Sequence, residues 1–288
     1  MRRLTKKQAI IATLMTISVV GLVTWSSRDS ARDEKREIIS MIASLRAANR
    51  SDDPAMKTLI EMGAPAVPHL IREFRRNRSM LRRNPSYRKF YATFPVAMSR
   101  LLARPVSDDD LRNCAAIAWA LGAIGQNAYE ASSVLIEATQ DPNESIRLFA
   151  TQALGNIGPA AKGAVPAIAK VLSNTNYLFK LIALRSFALI GEPYQPAIDF
   201  AKRCLGNTNG GLRIQATLAV WRMEPSTENF LAVSNCLTCE DPVVRSITAS
   251  HLGFMGSAAK PLLPVLEKRH KQERELQQVF ETAIRSIK

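Results

Sequence analysis

The sequence predicts an all-α chain, a right-handed α-solenoid of stacked antiparallel helix pairs preceded by one N-terminal apolar helix. Three observations carry this. The phrases Leu121-Gly122-Ala123-Ile124-Gly125 and Leu154-Gly155-Asn156-Ile157-Gly158 are nearly the same and stand 33 positions apart, a period typical of stacked helical hairpins. The composition, 47% hydrophobic but only 6% aromatic, suits Ala and Leu ridges packed helix on helix. No window alternates Val, Ile and Thr with polar residues in the manner of strands, so almost no sheet is expected.

The chain opens with Arg2, Arg3, Lys6 and Lys7, then an uncharged apolar run at residues 9–25, then Ser26-Ser27-Arg28. Basic residues before an apolar stretch have the pattern of a secretory signal or a signal anchor. A helix over this run is about 26 Å long, just short of a hydrocarbon core of about 30 Å, and Trp25 suits a membrane interface. The expectation is an uncleaved anchor over residues 1–28 in a single-pass protein whose repeats, residues 29–288, lie on the non-cytoplasmic side. A cleaved signal, leaving a secreted or periplasmic protein, and a buried helix of the fold are the alternatives.

A first partial unit begins at Met62-Gly63-Ala64-Pro65-Ala66-Val67-Pro68-His69-Leu70. A basic insertion follows at about 72–105, where the repeats lose register, with a break at Asn84-Pro85-Ser86. The formal charge of +14 is uneven: residues 1–28 hold five basic and no acidic residues, and residues 72–89 hold eight basic residues against Glu73 alone. The remaining chain is close to neutral. Within the insertion Arg75, Arg76, Arg78, Arg82 and Arg83 are the candidate anion-binding set, for phosphate or anionic lipid. The competing reading is a solvated helix end and loop. Tyr87, Phe90, Tyr91 and Phe94 are placed to pack the insertion onto the array, and no nucleic acid is expected as a ligand.

Five full units then fall at about 111–141, 142–174, 175–207, 208–241 and 242–272, with a closing helix at 273–288. Arg147, Lys180, Arg213 and Arg245 hold one register through four of them; Ala150, Ala183, Ala216 and Thr248 keep step as the small position. Glycine closes the first helix at Gly125, Gly158, Gly191 and Gly256, where a left-handed backbone costs least without a side chain. Glu224-Pro225 breaks this rule. Second helices are entered through prolines such as Pro166 and Pro264, since the first turn of a helix leaves the N–H that proline lacks unpaired anyway. A lone hairpin leaves its apolar stripe wet, so each unit needs neighbours.

At Ile146-Arg147, Ala150, Ala153-Leu154-Gly155, Ile157-Gly158 and Ala164-Val165-Pro166 the chain resembles the HEAT family of helical repeats in its short, phycobilisome-lyase-like form. The resemblance implies the solenoid and, because the family serves as a scaffold for many partners, a binding role more than an activity. It also implies that the ladder Arg147, Lys180, Arg213 and Arg245 lies within the stack, pairing with turn acids such as Asp141 and Asp241, and that second helices form the inner row of the curve. On those second helices Lys170, Arg203 and Lys268 occupy one equivalent position and are the candidate partner-binding row.

Residues suited to chemistry are few. Cys236 and Cys239 lie one turn apart, but zinc takes about four ligands and neither a second pair nor a histidine pair accompanies them, so Cys114, Cys204, Cys236 and Cys239 are read as small hydrophobes. His251 stands where other units carry Ala153, Ser186 and Ala219, and is read as a locally hydrogen-bonded structural histidine. Gly206-Asn207-Thr208-Asn209-Gly210-Gly211 lacks the ending of a phosphate loop and reads as a turn. The sequence therefore points to a membrane-tethered scaffold that binds another protein through its concave helix face, with no catalysis, no cofactor and no metal. A ligand-cradling enzyme using Trp119 and Trp221, similar to bilin lyases or base-repair glycosylases of HEAT-like build, and a peripheral binder of anionic lipid are the rivals.

Overall fold

The protein's computed structural model describes residues 36–42, 53–95, 102–173, 176–207 and 209–288. The apolar run at 9–25, and with it the expected N-terminal helix, lies outside the described residues. Among the described residues all regular structure is helical.

A helix at 36–42 (α1) buries Ile38 and Ile42 in one apolar cluster with Met56 and Leu59 of α2, Pro54–Met62. After a tight turn at Gly63 comes α3, Val67–Asn77, which turns Leu70 and Phe74 inward and its arginines outward. Two short helices, α4 (Met80–Arg83) and α5 (Pro85–Ala92), form the basic insertion. The array proper then runs as first and second helices in alternation. The first helices are α6 (Asp108–Ile124), α8 (Glu144–Ile157), α10 (Tyr177–Ile190), α12 (Gly210–Met223) and α14 (Pro242–Met255). The second helices are α7 (Ser132–Ala138), α9 (Val165–Val171), α11 (Gln195–Cys204), α13 (Thr227–Thr238) and α15 (Leu263–Gln272), and α16 (Gln277–Ile287) closes the stack.

Each first helix starts at a side-chain cap. Ser107 forms a reciprocal capping box with Asp110, and Asn143, Asn176, Asn209 and Asp241 accept from Ile146, Leu178, Leu212 and Val243 N–H groups at 3.1, 2.9, 3.2 and 2.8 Å. These caps satisfy donors that the first turn cannot pair internally. The helices end at Gly125, Gly158, Gly191 and Gly256 as expected, all with positive φ. Only Gly191 is truly left-handed, with φ 72 and ψ 12; at the other three ψ is near −140, and the chain enters a seven-residue 3₁₀ turn, as at Gly125–Ala131, instead of a plain loop.

The other glycine of the repeated phrase has a different task. A Cβ on Gly122 would sit 2.8 Å from the Cα of Ala153, and one on Gly155 would sit 2.8 Å from the Cα of Ser186. First helices thus meet backbone to backbone, α6 on α8, α8 on α10 and α10 on α12. The shorter second helices touch each other far less.

The array does not continue regularly past α12. Where Glu224-Pro225 replaces the glycine turn, α14 packs less fully on α12 and reaches past it to α10. Arg185 of α10 lies over the Phe254 ring of α14 at 5.0 Å, and Gln215 of α12 meets His251 at 2.5 Å. The covered helix, α12, is buried from Leu212 to Met223 except at Arg213 and Arg222. At this junction first helices two units apart come into contact.

The single-pass membrane assignment is overturned: among the described residues no helix is long and apolar enough to cross a membrane. The longest, α6, has 17 residues and opens on Asp108, Asp109 and Asp110, charges that a bilayer core accepts only at high cost. Its sisters are amphipathic elements whose apolar stripes are spent on one another.

Candidate interaction surface

Two surfaces and one junction gather the side chains suited to recognition. The basic insertion is the first. Arg78 and Arg83 both reach the second-helix end of the first full unit, giving Arg78 Nε to Asp141 Oδ2 at 2.8 Å and Arg83 Nη1 to Asp141 Oδ1 at 2.7 Å. Burial pushes the Asp141 carboxyl up, but the two guanidiniums and the Asn143 N–H outweigh it and hold the group below its usual range. Arg82 is buried and donates to the carbonyls of Arg104 at 2.6 Å and Arg76 at 2.7 Å. Arg104 in turn pairs with Asp110 at 2.6 Å, and despite burial the Asp110 carboxyl falls to about 2 through Arg104 and Ser107. Of the five candidate anion-binding arginines, then, three are used inside the protein to fasten the insertion. Arg75 is exposed, and Arg76 makes a surface pair with Glu73 at 3.5 Å.

The aromatic residues of the insertion pack differently from expectation. Phe90 meets Phe94 edge to face at 4.8 Å between ring centroids, and Tyr87 lies near Phe90 and Tyr91. Helix α5 buries no side chain, and Phe90 is half exposed. The ring cluster stands on its own helix, and what ties the insertion to the array is charge and hydrogen bonding.

The three arginines of the cation ladder are structural, by a different contact from the one expected. Arg147 Nη1 donates to the carbonyls of Asp141 and Pro142 at 2.8 and 2.9 Å, and Arg245 Nη1 to those of Cys239 and Glu240 at 2.8 and 2.6 Å. Arg213 does the same to Asn207. The guanidinium thus caps the orphan carbonyls of the turn five and six residues earlier, while Asp141 is taken by the insertion and Asp241 caps α14.

Lys170, Arg203 and Lys268 all lie exposed on the second helices α9, α11 and α15. Arg203 leans over the Phe200 ring at 5.8 Å. The row is solvent-facing and stands on the more loosely spaced layer.

The exposed side of the first helices is the second surface, and sequence reasoning did not single it out. Stepping by the repeat, its rows are Arg112, Ser145, Leu178, Gly211 and Val243; Ala116, Phe149, Ile182, Gln215 and Ile247; Trp119, Gln152, Arg185, Leu218 and Ser250; and Ala123, Asn156, Leu189, Arg222 and Phe254, of which Gln215 and Leu218 on α12 are covered. No carboxylate occurs in them. Leu178, Val243 and Phe254 are 43%, 61% and 67% exposed, while Trp119, Phe149 and Ile247 are half-buried against the core. The signal was in the sequence as a stripe at helical spacing, hidden because each residue alone reads as core.

At the junction of α10, α12 and α14, His251 is a locally bonded structural residue, as expected. Burial, then the nearby Arg185, pulls its pKa down to about 4, so the imidazole is neutral and accepts from the Gln215 amide. Cys114 is buried, with its thiol pushed up to about 12 by burial, while Cys236 and Cys239 are half-buried and unbridged. Trp221 is buried. Among the described residues no group of three or more His, Cys, Asp or Glu side chains is arranged to hold a metal. A surface groove of about 450 Å³ between α15 and α16 is lined by acids and bases that pair with one another, Glu267 with Lys288 at 2.9 Å and Glu281 with Arg285 at 2.5 Å.

Residues 132–221 match the family model for HEAT repeats. The solved complex of CpcE and CpcF of phycocyanin lyase from Nostoc sp. is similar in structure, with 18% identity, a TM-score of 0.50, and coverage of 86% of this chain and 93% of that one. An engineered protein is also similar, at 18% identity and a TM-score of 0.36 over 87% of this chain and 96% of its own. No curated protein matches the sequence. The likeness to the lyase complex is one of α-solenoid fold.

Proposed function

We propose that the protein is a HEAT-repeat scaffold that binds another protein across its stacked helices and does no chemistry of its own. The observation that carries this reading is the continuous exposed face of first helices α6, α8 and α10, where apolar side chains such as Trp119, Phe149 and Leu178 stay partly or largely in water. Contiguous exposed apolar surface marks interaction sites, and a solenoid offers it over a length that suits a macromolecule better than a small ligand. The row Lys170, Arg203 and Lys268 supplies a second, polar contact line on the other layer. The basic insertion is part of the scaffold, since Arg78, Arg82 and Arg83 serve it internally.

A lyase-like role, as named for the complex of similar fold, is the rival. Cross-linking in the native cell followed by capture of the full chain separates the two. The scaffold reading expects one or a few proteins recovered in stable proportion, with cross-links mapping to the helical faces. Recovery of the chain alone, or of a small molecule attached to the captured protein in a manner dependent on the chain, contradicts it.

A further inference from the structure

Among the described residues two arginines on the first-helix face are sheltered without a carboxylate partner. Arg185 is largely buried, its guanidinium stacked at 5.0 Å over the Phe254 ring, and its Nε is enclosed with no hydrogen-bond partner. Arg222 gives its Nε to the Ala188 carbonyl at 3.2 Å, and its Nη2 crowds the backbone at Gly191, 2.6 Å from where a Cβ would stand. Neither has a carboxylate partner among the described residues. By contrast Arg78, Arg83, Arg104 and Arg245 are each paired with an acid, and Arg82, which has none, spends its guanidinium on two backbone carbonyls. A sheltered guanidinium without a counter-charge is costly to keep, and here two occur one unit apart on a face whose acid, Asp109 at the far end, is taken by Arg112.

We propose that the first-helix face docks a segment of a partner protein that presents carboxylates among apolar side chains, its carboxylates received by Arg185 and Arg222 and its apolar groups by Phe149, Leu178, Ile182 and Phe254. The inference rests on the scaffold reading and names the partner's chemistry. Guanidinium is the better-suited cation for such a contact, being weakly hydrated and able to bind a carboxylate in bidentate fashion. Burial alone lowers both guanidinium pKa values, with no acid acting against it, which agrees with a missing counter-charge. A second copy seated face to face through a two-fold axis brings the same surface onto itself, arginine towards arginine. A phosphate backbone asks for a run of cations, and two set among apolar groups do not track it. Arg185 of α10 lies over Phe254 of α14, and Arg222 of α12 reaches back to the Ala188 carbonyl of α10, so a segment crossing these helices meets both arginines.

The test is selection of a random peptide display library on the intact chain. Selected peptides are expected to carry Asp or Glu flanked by Leu, Phe or Trp. Their affinity is expected to fall about tenfold or more in Arg185→Met and in Arg222→Met, the loss typical of a desolvated charge pair. Because Arg185 is partly buried, the exposed positions give an independent check: Leu178→Glu weakens binding and Leu178→Lys strengthens it, each with an unchanged melting curve. Selected peptides without acids, or affinities indifferent to all four variants, overturn the proposal. Peptides that bind the chain but are lost on the triple change Lys170→Glu, Arg203→Glu and Lys268→Glu overturn this face while leaving the scaffold reading intact.

Discussion

Asp141 shows how much a single residue can decide. Its side chain is fully buried, yet it takes two guanidiniums from a segment about sixty residues earlier. Removing one partner of such a pair leaves uncompensated charge, at a cost of about 3–5 kcal/mol. Asp141→Ala is therefore expected to lower the urea midpoint sharply and to expose residues 78–106 to protease, whereas Arg75→Ala leaves both unchanged. This pairing was not legible in the sequence, since a contact between segments so far apart has no period, and the nearer Arg147 was the natural candidate. His251 was easier, because an imidazole at a small-residue position must be locally satisfied. Its pH behaviour follows from burial. The folded pKa, about 4, lies below the ordinary value of about 6.5, so the unfolded chain binds the extra proton. Stability is lost as pH falls from about 6.5 towards 4, by up to roughly 3 kcal/mol from this group. Thermal melts at pH 7 and pH 4.5 check it: His251→Gln is expected to flatten the fall over that window.

At the scale of elements, the phrase Leu-Gly-x-Ile-Gly was legible as a turn, but only its second glycine serves that purpose. The first, Gly122 or Gly155, lets two helices meet at backbone distance, which a single sequence cannot distinguish from a poor helix former. Propensity alone favours Gly155→Ala by about 1 kcal/mol. Packing opposes it, since the added methyl meets the Ser186 Oγ at 2.5 Å and its Cα at 2.8 Å, and overpacking typically costs 1–3 kcal/mol. The substitution is expected to lower the melting temperature, and a higher one counts against the close-packed ladder. The cap ladder Asn143, Asn176, Asn209 and Asp241 is also present in the sequence at the repeat period, but an Asn or Asp at a turn reads equally as a turn residue until the helix start is fixed. The insertion was found as a charge cluster, but charge counting cannot tell a surface patch from arginines folded onto carbonyls and a buried acid.

For the whole molecule, the period fixed the number and order of hairpins, and these stand in the structure close to where spacing placed them. Curvature was not legible, because it depends on the relative spacing of two layers and every unit has the same pattern in both. The resemblance placed second helices on the inside. At the α10–α14 junction α14, released by the missing glycine turn at Glu224-Pro225, folds over α12 and reaches α10. That geometry is what puts Arg185, Arg222 and the apolar stripe on a sheltered face, and the binding account rests on it. The most direct test is cross-linking with a short bis-maleimide in a chain whose four cysteines are replaced by alanine, with cysteine introduced by Arg185→Cys and Phe254→Cys. If the first-helix layer lies inside the bend, the pair links rapidly across the intervening repeat, while Arg203→Cys with Lys268→Cys, equally far apart on the other layer, does not. Linking of 203 to 268 without linking of 185 to 254 contradicts the account.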